Sequence, residues 1–250
     1  MIGVPIGLTV ANNYGWQATF LTLAALSSLN LLLAFRELPQ VNAHLTERRA
    51  AVGVFAGMFD LLRMPNTWVA ITLIVMMMSI FAFTPFVSPF LVTVVGISEA
   101  DLPTVYMFAG VASFIVSPAI GKLSDRFGAR RIFISSSVIA VPAMLIFSGL
   151  QRSTLAVAVA WNTLVAAVGA ARMTPSLTLI NNSVSSEQRG RFMTLIGSVQ
   201  QLSAAVASYC GGLLLGDSAA GLERFAILGA IVASSMVVSS VLSLFVRPAQ

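Results

Sequence analysis

Seven stretches of the chain carry no Asp, Glu, Lys or Arg: residues 1–35, 64–98, 102–121, 132–151, 153–171, 192–216 and 225–246. Each matches or exceeds the ~20 apolar residues that carry a helix across a bilayer. Gly and Pro interrupt these stretches, but polar residues do not alternate through them, so the roughly ten-residue strands of a membrane barrel do not fit. Lipid offers the backbone no hydrogen-bond partners, and with barrels excluded only helices remain. The pattern predicts a partial helix over 1–13 and full helices over 16–36, 68–93, 104–121, 132–150, 153–177, 191–216 and 222–246. The expected fold class is all-α: a polytopic membrane helical bundle of about seven full transmembrane helices plus one partial.

One polar connection, residues 40–65, is long for a link between helices. Within it Val52, Phe55, Phe59 and Leu62 recur at helical spacing, with Arg49, Asp60 and Arg63 elsewhere on the surface. That spacing suggests an amphipathic helix lying along the membrane face; a disordered linker is the alternative. The chain therefore divides into 1–36, a connector 37–67 and a bundle 68–250.

Composition agrees with this picture. Hydrophobic residues make up 57% of the chain and charged ones only 9%, against roughly a quarter charged in soluble domains. The net charge of +5 could suggest nucleic acid, but the basic residues form short clusters between apolar spans rather than one patch, so no nucleic-acid partner is expected. Assigned to alternate sides of a membrane, 12 of the 14 basic residues fall on one side, which the positive-inside rule makes cytoplasmic. Cys210 is the single cysteine and His44 the single histidine, so neither a disulfide nor a Cys/His metal site can be assembled. No cofactor is expected. None of the nine acidic residues falls in a span, and without a membrane acid or a His in the spans no catalytic centre is expected either. The partners implied are membrane lipid and a small solute.

The densest charge is in GKLSDRFGARR, residues 121–131, with five charged side chains in eleven positions. It reads as a short turn between two spans. Gly121 would permit close helix approach, and Gly128 after Phe127 would take positive φ. Asp125 would accept hydrogen bonds from exposed amides or pair with Arg130 or Arg131, with the other cations at the headgroups.

Gly121, Leu123, Asp125, Arg126, Gly128, Arg130 and Arg131 closely resemble the cytoplasmic-loop signature G-x-L-x-D-R-x-G-R/K-R/K of the major facilitator superfamily. In that family the signature is a conformational latch that breaks during transport. Ala129 departs from the pattern at a position usually basic. Two spans separate the signature from the long connector and four spans follow it, a count similar to the family's eighth-to-ninth loop. The start, Gly3-Val4-Pro5-Ile6-Gly7 followed by YGWQATF at 14–20, resembles the end of the fifth helix and the beginning of the sixth, and RGRFM at 189–193 resembles the tenth-to-eleventh region of drug and arabinose-efflux permeases. The resemblance implies a C-terminal portion beginning within the fifth helix, with 1–36 the remnant of the N-terminal half and 68–250 the C-terminal six-helix bundle. It also implies a proton-coupled exporter of drugs or sugars, multi-pass in a bacterial inner membrane and monomeric when full length, or, for this chain alone, a transport-inactive fragment.

Candidate transport residues follow from cost. A charge inside the bilayer costs at least ~2.5 to 3.5 kcal/mol, and Arg172, about five residues before the cytoplasmic end of its predicted helix, is the one candidate. It would either face a solute cavity and bind an anionic group, or snorkel to the headgroups or pair structurally. Gly197, Gln201, Ala205, Ser208 and Gly212 share one helical face, suited to packing, with Gln201 and its neighbour Gln200 as cavity candidates. Ala109, Ser113, Ser117 and Gly121 form a second packing stripe. Phe81, Thr84 and Ser88 share a face near Pro85 and Pro89, whose missing donors suggest a gate; Pro5 is a third helix-break candidate. Asn162 lies about 80° around the helix from Arg172, so both reach one cavity only if it is wide.

Overall fold

The computed structural model describes residues 3–37, 61–185, 188–216 and 224–246. The heart of the connector, with Val52, Phe55 and Phe59, lies outside these; Leu62 is within them, in a helical turn with Leu61. Helix α1 (Gly3–Tyr14) turns at Gly15, φ 85°, into α2 (Trp16–Glu37). Helix α3 (Pro65–Met78) begins a broken span that reaches Val95. The remaining helices are α4 (Leu102–Phe127), α5 (Ala129–Ser148), α6 (Leu155–Asn181), α7 (Arg189–Leu215) and α8 (Phe225–Phe245). The protein is an all-α polytopic bundle.

Six of the segments are both long and apolar enough to cross a membrane: Trp16–Glu37, Asn66–Val95, Glu99–Phe127, Ala129–Ser148, Leu155–Asn181 and Phe225–Phe245. The seventh expected span, α7, has the length, 27 residues, but not the hydropathy. Arg189 and Arg191 open it, and Gln200, Gln201 and several Ser and Gly residues dilute it. It is nevertheless a bundle helix, packed on α3 and on the turn Ser79–Ala82.

Helix α4 packs on α6, α6 on α5, and α5 on α8; α3 joins α7 to α8, and α1 packs on both α2 and α4. Lipid tails are as apolar as Leu, so this association rests on close van der Waals fit. Small residues supply the fit. A Cβ on Gly229 of α8 would lie 2.0 Å from Ser148 Oγ of α5, and one on Gly211 of α7 would lie 2.2 Å from the Ala82 carbonyl oxygen. One core gathers Phe83, Phe90, Phe147 and Phe225; Phe90 stacks on Phe225 at 4.0 Å between centroids, and Phe83 lies 4.2 Å from Phe225. A second core gathers Leu73, Ile74, Phe133, Ile180 and Phe192.

Hydrogen bonds tie the two ends of the bundle. At one end Asn66 Nδ2 donates to the Ser183 carbonyl at 2.8 Å and Arg130 Nη2 to the Val246 carbonyl at 2.5 Å. At the other, Ser153 N–H donates to the Val95 carbonyl at 3.2 Å. The first end holds Lys122, Arg126, Arg130, Arg131, Arg189 and Arg191, the second Arg152 and Arg224. Glu99 and Asp125 flank opposite ends of α4, which at ~1.5 Å per residue separates them by the depth of a bilayer.

The span after α3 changes its winding repeatedly. It tightens into 3₁₀ turns at Ser79–Ala82 and Thr84–Phe86, passes through one α turn at Val87–Phe90 and widens into a π turn at Leu91–Val95, ending at Gly96 with φ 84°. Pro85 and Pro89 have no N–H to donate, which removes two α-type bonds. Hydroxyls beside the break make bonds of their own: Thr84 Oγ1 donates to the Ile80 carbonyl at 3.0 Å and Ser79 Oγ to the Met76 carbonyl at 2.8 Å, while Ser79 and Ser235 share a hydroxyl hydrogen bond. Pro5, by contrast, falls in the first turn of α1, where its missing N–H removes no helical bond, and α1 runs unbroken.

The charge-rich stretch is not the loop that its polarity suggests. Helix α4 continues to Phe127 and α5 starts at Ala129, so Gly128 alone, φ 91°, joins them. Lys, Leu, Ser, Asp and Arg are all compatible with a helix, and only the glycine breaks it.

Candidate functional site

A cavity of about 880 Å³ lies between the two cores. The broken span contributes Met77, Met78, Phe81, Phe83 and Thr84 to its wall; α4 contributes Tyr106, Ser113 and Phe114; α6 contributes Asn162, Arg172 and Met173; Gln200 comes from α7, Met144 from α5 and Met236 from α8. Of these, Phe81, Thr84 and Phe114 are exposed and form the rim.

Arg172 is the most constrained group in it. Helix α6 extends to Asn181, so the guanidinium sits more than two turns inside the bundle, and the side chain is only 3% exposed. Snorkelling is therefore ruled out. Nε donates to Ser137 Oγ at 2.9 Å, and Nη2 donates to Ser239 Oγ at 2.7 Å and to the Met236 carbonyl at 3.4 Å. The Phe133 ring lies under the guanidinium carbon at 5.1 Å, a cation–π contact. Three helices thus hold the cation, and no carboxylate within 4 Å pairs with it among the described residues. Asn162 is also buried, at 7% exposure, and shares the cavity with Arg172, so the cavity has the width that the 80° offset demands.

The other candidates divide. Phe81, Thr84 and Gln200 line the cavity. Ser88 does not; its hydroxyl meets the Tyr106 hydroxyl at 2.5 Å, tying the broken span to α4. Gln201 is exposed and faces away, and Ala205 of the same stripe is exposed too. The packed face of α7 is the adjacent one, through Phe192, Ile196 and Gly211; Gly197 has nothing within 4 Å of where its Cβ would stand. Pro85 and Pro89 lie in the broken span beside Phe81 and Thr84.

In the signature stretch Gly128 adopts the positive φ expected, but two other expectations fail. Asp125 is exposed, and no ion pair joins it to Arg130 or Arg131 among the described residues. Gly121 has open space around its would-be Cβ, so no helix approaches it closely among the described residues. Arg130 instead donates to the Val246 carbonyl at the C-cap of α8, where a cation is favoured. Arg126 lies over the Phe127 ring at 5.2 Å, and Leu123 and Arg131 are exposed.

Sequence reasoning passed over Tyr106 and the methionines. A tyrosine in a charge-free span signals a hydroxyl that needs a partner, and Ser88 is that partner. Met77, Met78, Met144, Met173 and Met236 all line the cavity, but a methionine in an apolar run looks like any other core residue.

A family model described as the Major Facilitator Superfamily matches residues 1–208 and again 106–250. The chain is 25% identical over 220 residues to the "Putative transporter AraJ" of Escherichia coli (strain K12), covering 86% of this chain and 53% of that protein. It is 23% identical over 258 residues to the "Uncharacterized MFS-type transporter YbcL" of Bacillus subtilis (strain 168), covering 96% of this chain and 61% of that one. A third match, 27% identical over 150 residues, is the "Probable sugar efflux transporter" of Helicobacter pylori (strain J99 / ATCC 700824), with 59% and 36% covered. The chain spans about half the length of the first two.

Proposed function

The chain belongs to the major facilitator superfamily, and on that premise we propose that it is the C-terminal portion of a secondary active permease that exports small molecules, drugs or sugars, by proton antiport across a bacterial inner membrane. The observation that carries this reading is the 880 Å³ cavity, half-way along the spans, whose wall mixes apolar side chains with Asn162, Arg172 and Gln200. Such permeases bind solute near the midplane between two halves that rock about it. Residues 68–250 form one half, 37–67 the cytoplasmic connector and 1–36 the remnant of the other half. The arginine-rich end of the bundle is cytoplasmic. Glu37, Glu99, Asp101 and Asp125 all lie in the end turns of the described spans, and no acidic residue lines the cavity among the described residues. The relative named a sugar efflux transporter supports export and a sugar-sized solute.

One observation favours a second reading, a transport-inactive membrane fragment. Helix α2 has no buried residue, and Phe20, Leu21, Leu32 and Phe35 are each at least 65% exposed, as expected of a helix whose partner half is missing.

Proteoliposomes holding the 250-residue chain, loaded with labelled arabinose or with labelled 2-naphthoate and given an inward proton gradient, test both. Saturable release that an ionophore abolishes selects the antiporter. Release no faster than from empty vesicles, with helical circular dichroism intact, selects the fragment.

A further inference from the structure

Arg172 is a buried cation with neutral neighbours. Serine hydroxyls and a backbone carbonyl orient its guanidinium through Nε and Nη2, but they carry no compensating charge. A buried charge without an opposite partner is strongly disfavoured, and structures normally supply one. The third guanidinium nitrogen, Nη1, makes no hydrogen bond among the described residues, yet it is not sealed away without access. Its two N–H donors are unused among the described residues, and Arg172 is one of the residues that line the cavity. The rest of the wall has a different character. Five methionines and Phe81 line it, and thioether side chains are unbranched and polarisable and adapt to apolar bodies of varied shape.

We propose that the cavity takes an amphipathic organic anion, with its acidic group on Nη1 of Arg172 and its apolar body against the methionine wall. The inference rests on the cavity being the solute site of the proposed permease, and it narrows the solute to carboxylates and similar acids. A carboxylate in that position would gain charge-assisted hydrogen bonds and neutralise the cation. An ammonium of the same size would meet an uncompensated like charge. The positioning residues are Ser137 and Ser239, which fix the guanidinium plane from α5 and α8 so that Nη1 is the nitrogen left over.

The test uses the purified 250-residue chain in phosphatidylcholine nanodiscs and equilibrium dialysis against three labelled probes that share one ring system: 2-naphthoate, 2-naphthamide and 2-naphthylmethylammonium. Binding to empty nanodiscs is subtracted. The expected order is naphthoate tightest, by at least about tenfold over naphthamide, with the ammonium weakest. Arg172→Gln should bring naphthoate down to the naphthamide level, and Arg172→Lys should restore part of the advantage. Equal affinities for the three probes, or a naphthoate advantage that survives in Arg172→Gln, overturns the anion assignment and leaves the cavity as a neutral-solute site. No saturable binding of any probe overturns the cavity as a ligand site, and the proposed permease reading with it. The wild-type ranking needs no variant, so the test remains decisive if Arg172→Gln fails to fold.

Discussion

Gly211 and Gly212 are neighbours on α7, yet one methyl group should have opposite effects at the two positions. A Cβ at Gly211 would stand 2.2 Å from the Ala82 carbonyl oxygen and 3.0 Å from two further backbone atoms of Ala82. Backbone cannot swing aside as a side-chain tip can. Reaching the 3.4 Å of an ordinary contact means parting α7 from the turn Ser79–Ala82 by about 1.2 Å, beside the cavity-lining Phe81 and Phe83. Overpacking of this kind costs ~1 to 3 kcal/mol, offset by at most ~1 kcal/mol of improved helix propensity. Gly211→Ala should therefore destabilise the bundle by about 1 to 2 kcal/mol on balance. At Gly212 the nearest atom is Phe86 Cζ at 3.5 Å, so Gly212→Ala keeps the propensity gain and should be neutral to ~1 kcal/mol stabilising. Equilibrium unfolding of both variants in mixed dodecyl maltoside and dodecyl sulfate micelles, followed by far-ultraviolet circular dichroism, measures the difference. If Gly211→Ala is as stable as Gly212→Ala, the close approach of α7 to the broken span is wrong.

Other expectations can be checked in the same micelles. Gly229→Ala drives a methyl into Ser148, whose Oγ and Cβ lie 2.0 and 2.2 Å away; it should cost ~1 to 3 kcal/mol, and Ser148→Gly in the same chain should recover most of the loss. Gly128→Ala forces a Cβ into positive φ and should cost ~1 to 2 kcal/mol, whereas Gly121→Ala, with open space around it, should cost nothing measurable. Arg130→Gln removes the donor to the Val246 carbonyl; hydrogen exchange over the last turn of α8 should quicken several-fold, as expected for loss of a charge-assisted bond of ~1.5 kcal/mol, and unchanged exchange would count against the cap. A double-mutant cycle of Ser88→Ala with Tyr106→Phe should yield a coupling of ~0.6 kcal/mol, the usual size inside membranes.

Charge-free runs located the bundle helices, most of their ends to within a few residues, because lipid penalises ionised groups. The same signal misread the ends. At 122–131 polarity suggested a loop, but a helix end at the headgroups tolerates charge, and the only residue there that cannot continue a helix is Gly128. Polarity also placed Arg172 five residues from a helix end. The helix in fact continues through Pro175 and Thr178 to Asn181, because Ser, Thr and Asn at its end look like loop residues in sequence. The choice between Gln200 and Gln201 could not be read from spacing, since both faces of α7 are rich in small residues and only the position of the broken span selects one. Pro85 and Pro89 marked the break, but its 3₁₀ and π windings depend on where Phe83 and Phe90 find partners on α5 and α8. Ser137 and Ser239 were invisible as ligands of Arg172, being 35 and 67 residues away from it in the chain.

A joint one residue long leaves no slack. With only Gly128 between Phe127 and Ala129, α4 cannot slide along its axis without hauling α5, and through the Arg130 clamp the foot of α8 is drawn along as well. The three helices make a single lever. Push on its cavity arm, at Tyr106 or Met236, and the displacement surfaces at the arginine-rich end, a bilayer's depth away, with no flexible tether between α4 and α5 to absorb it.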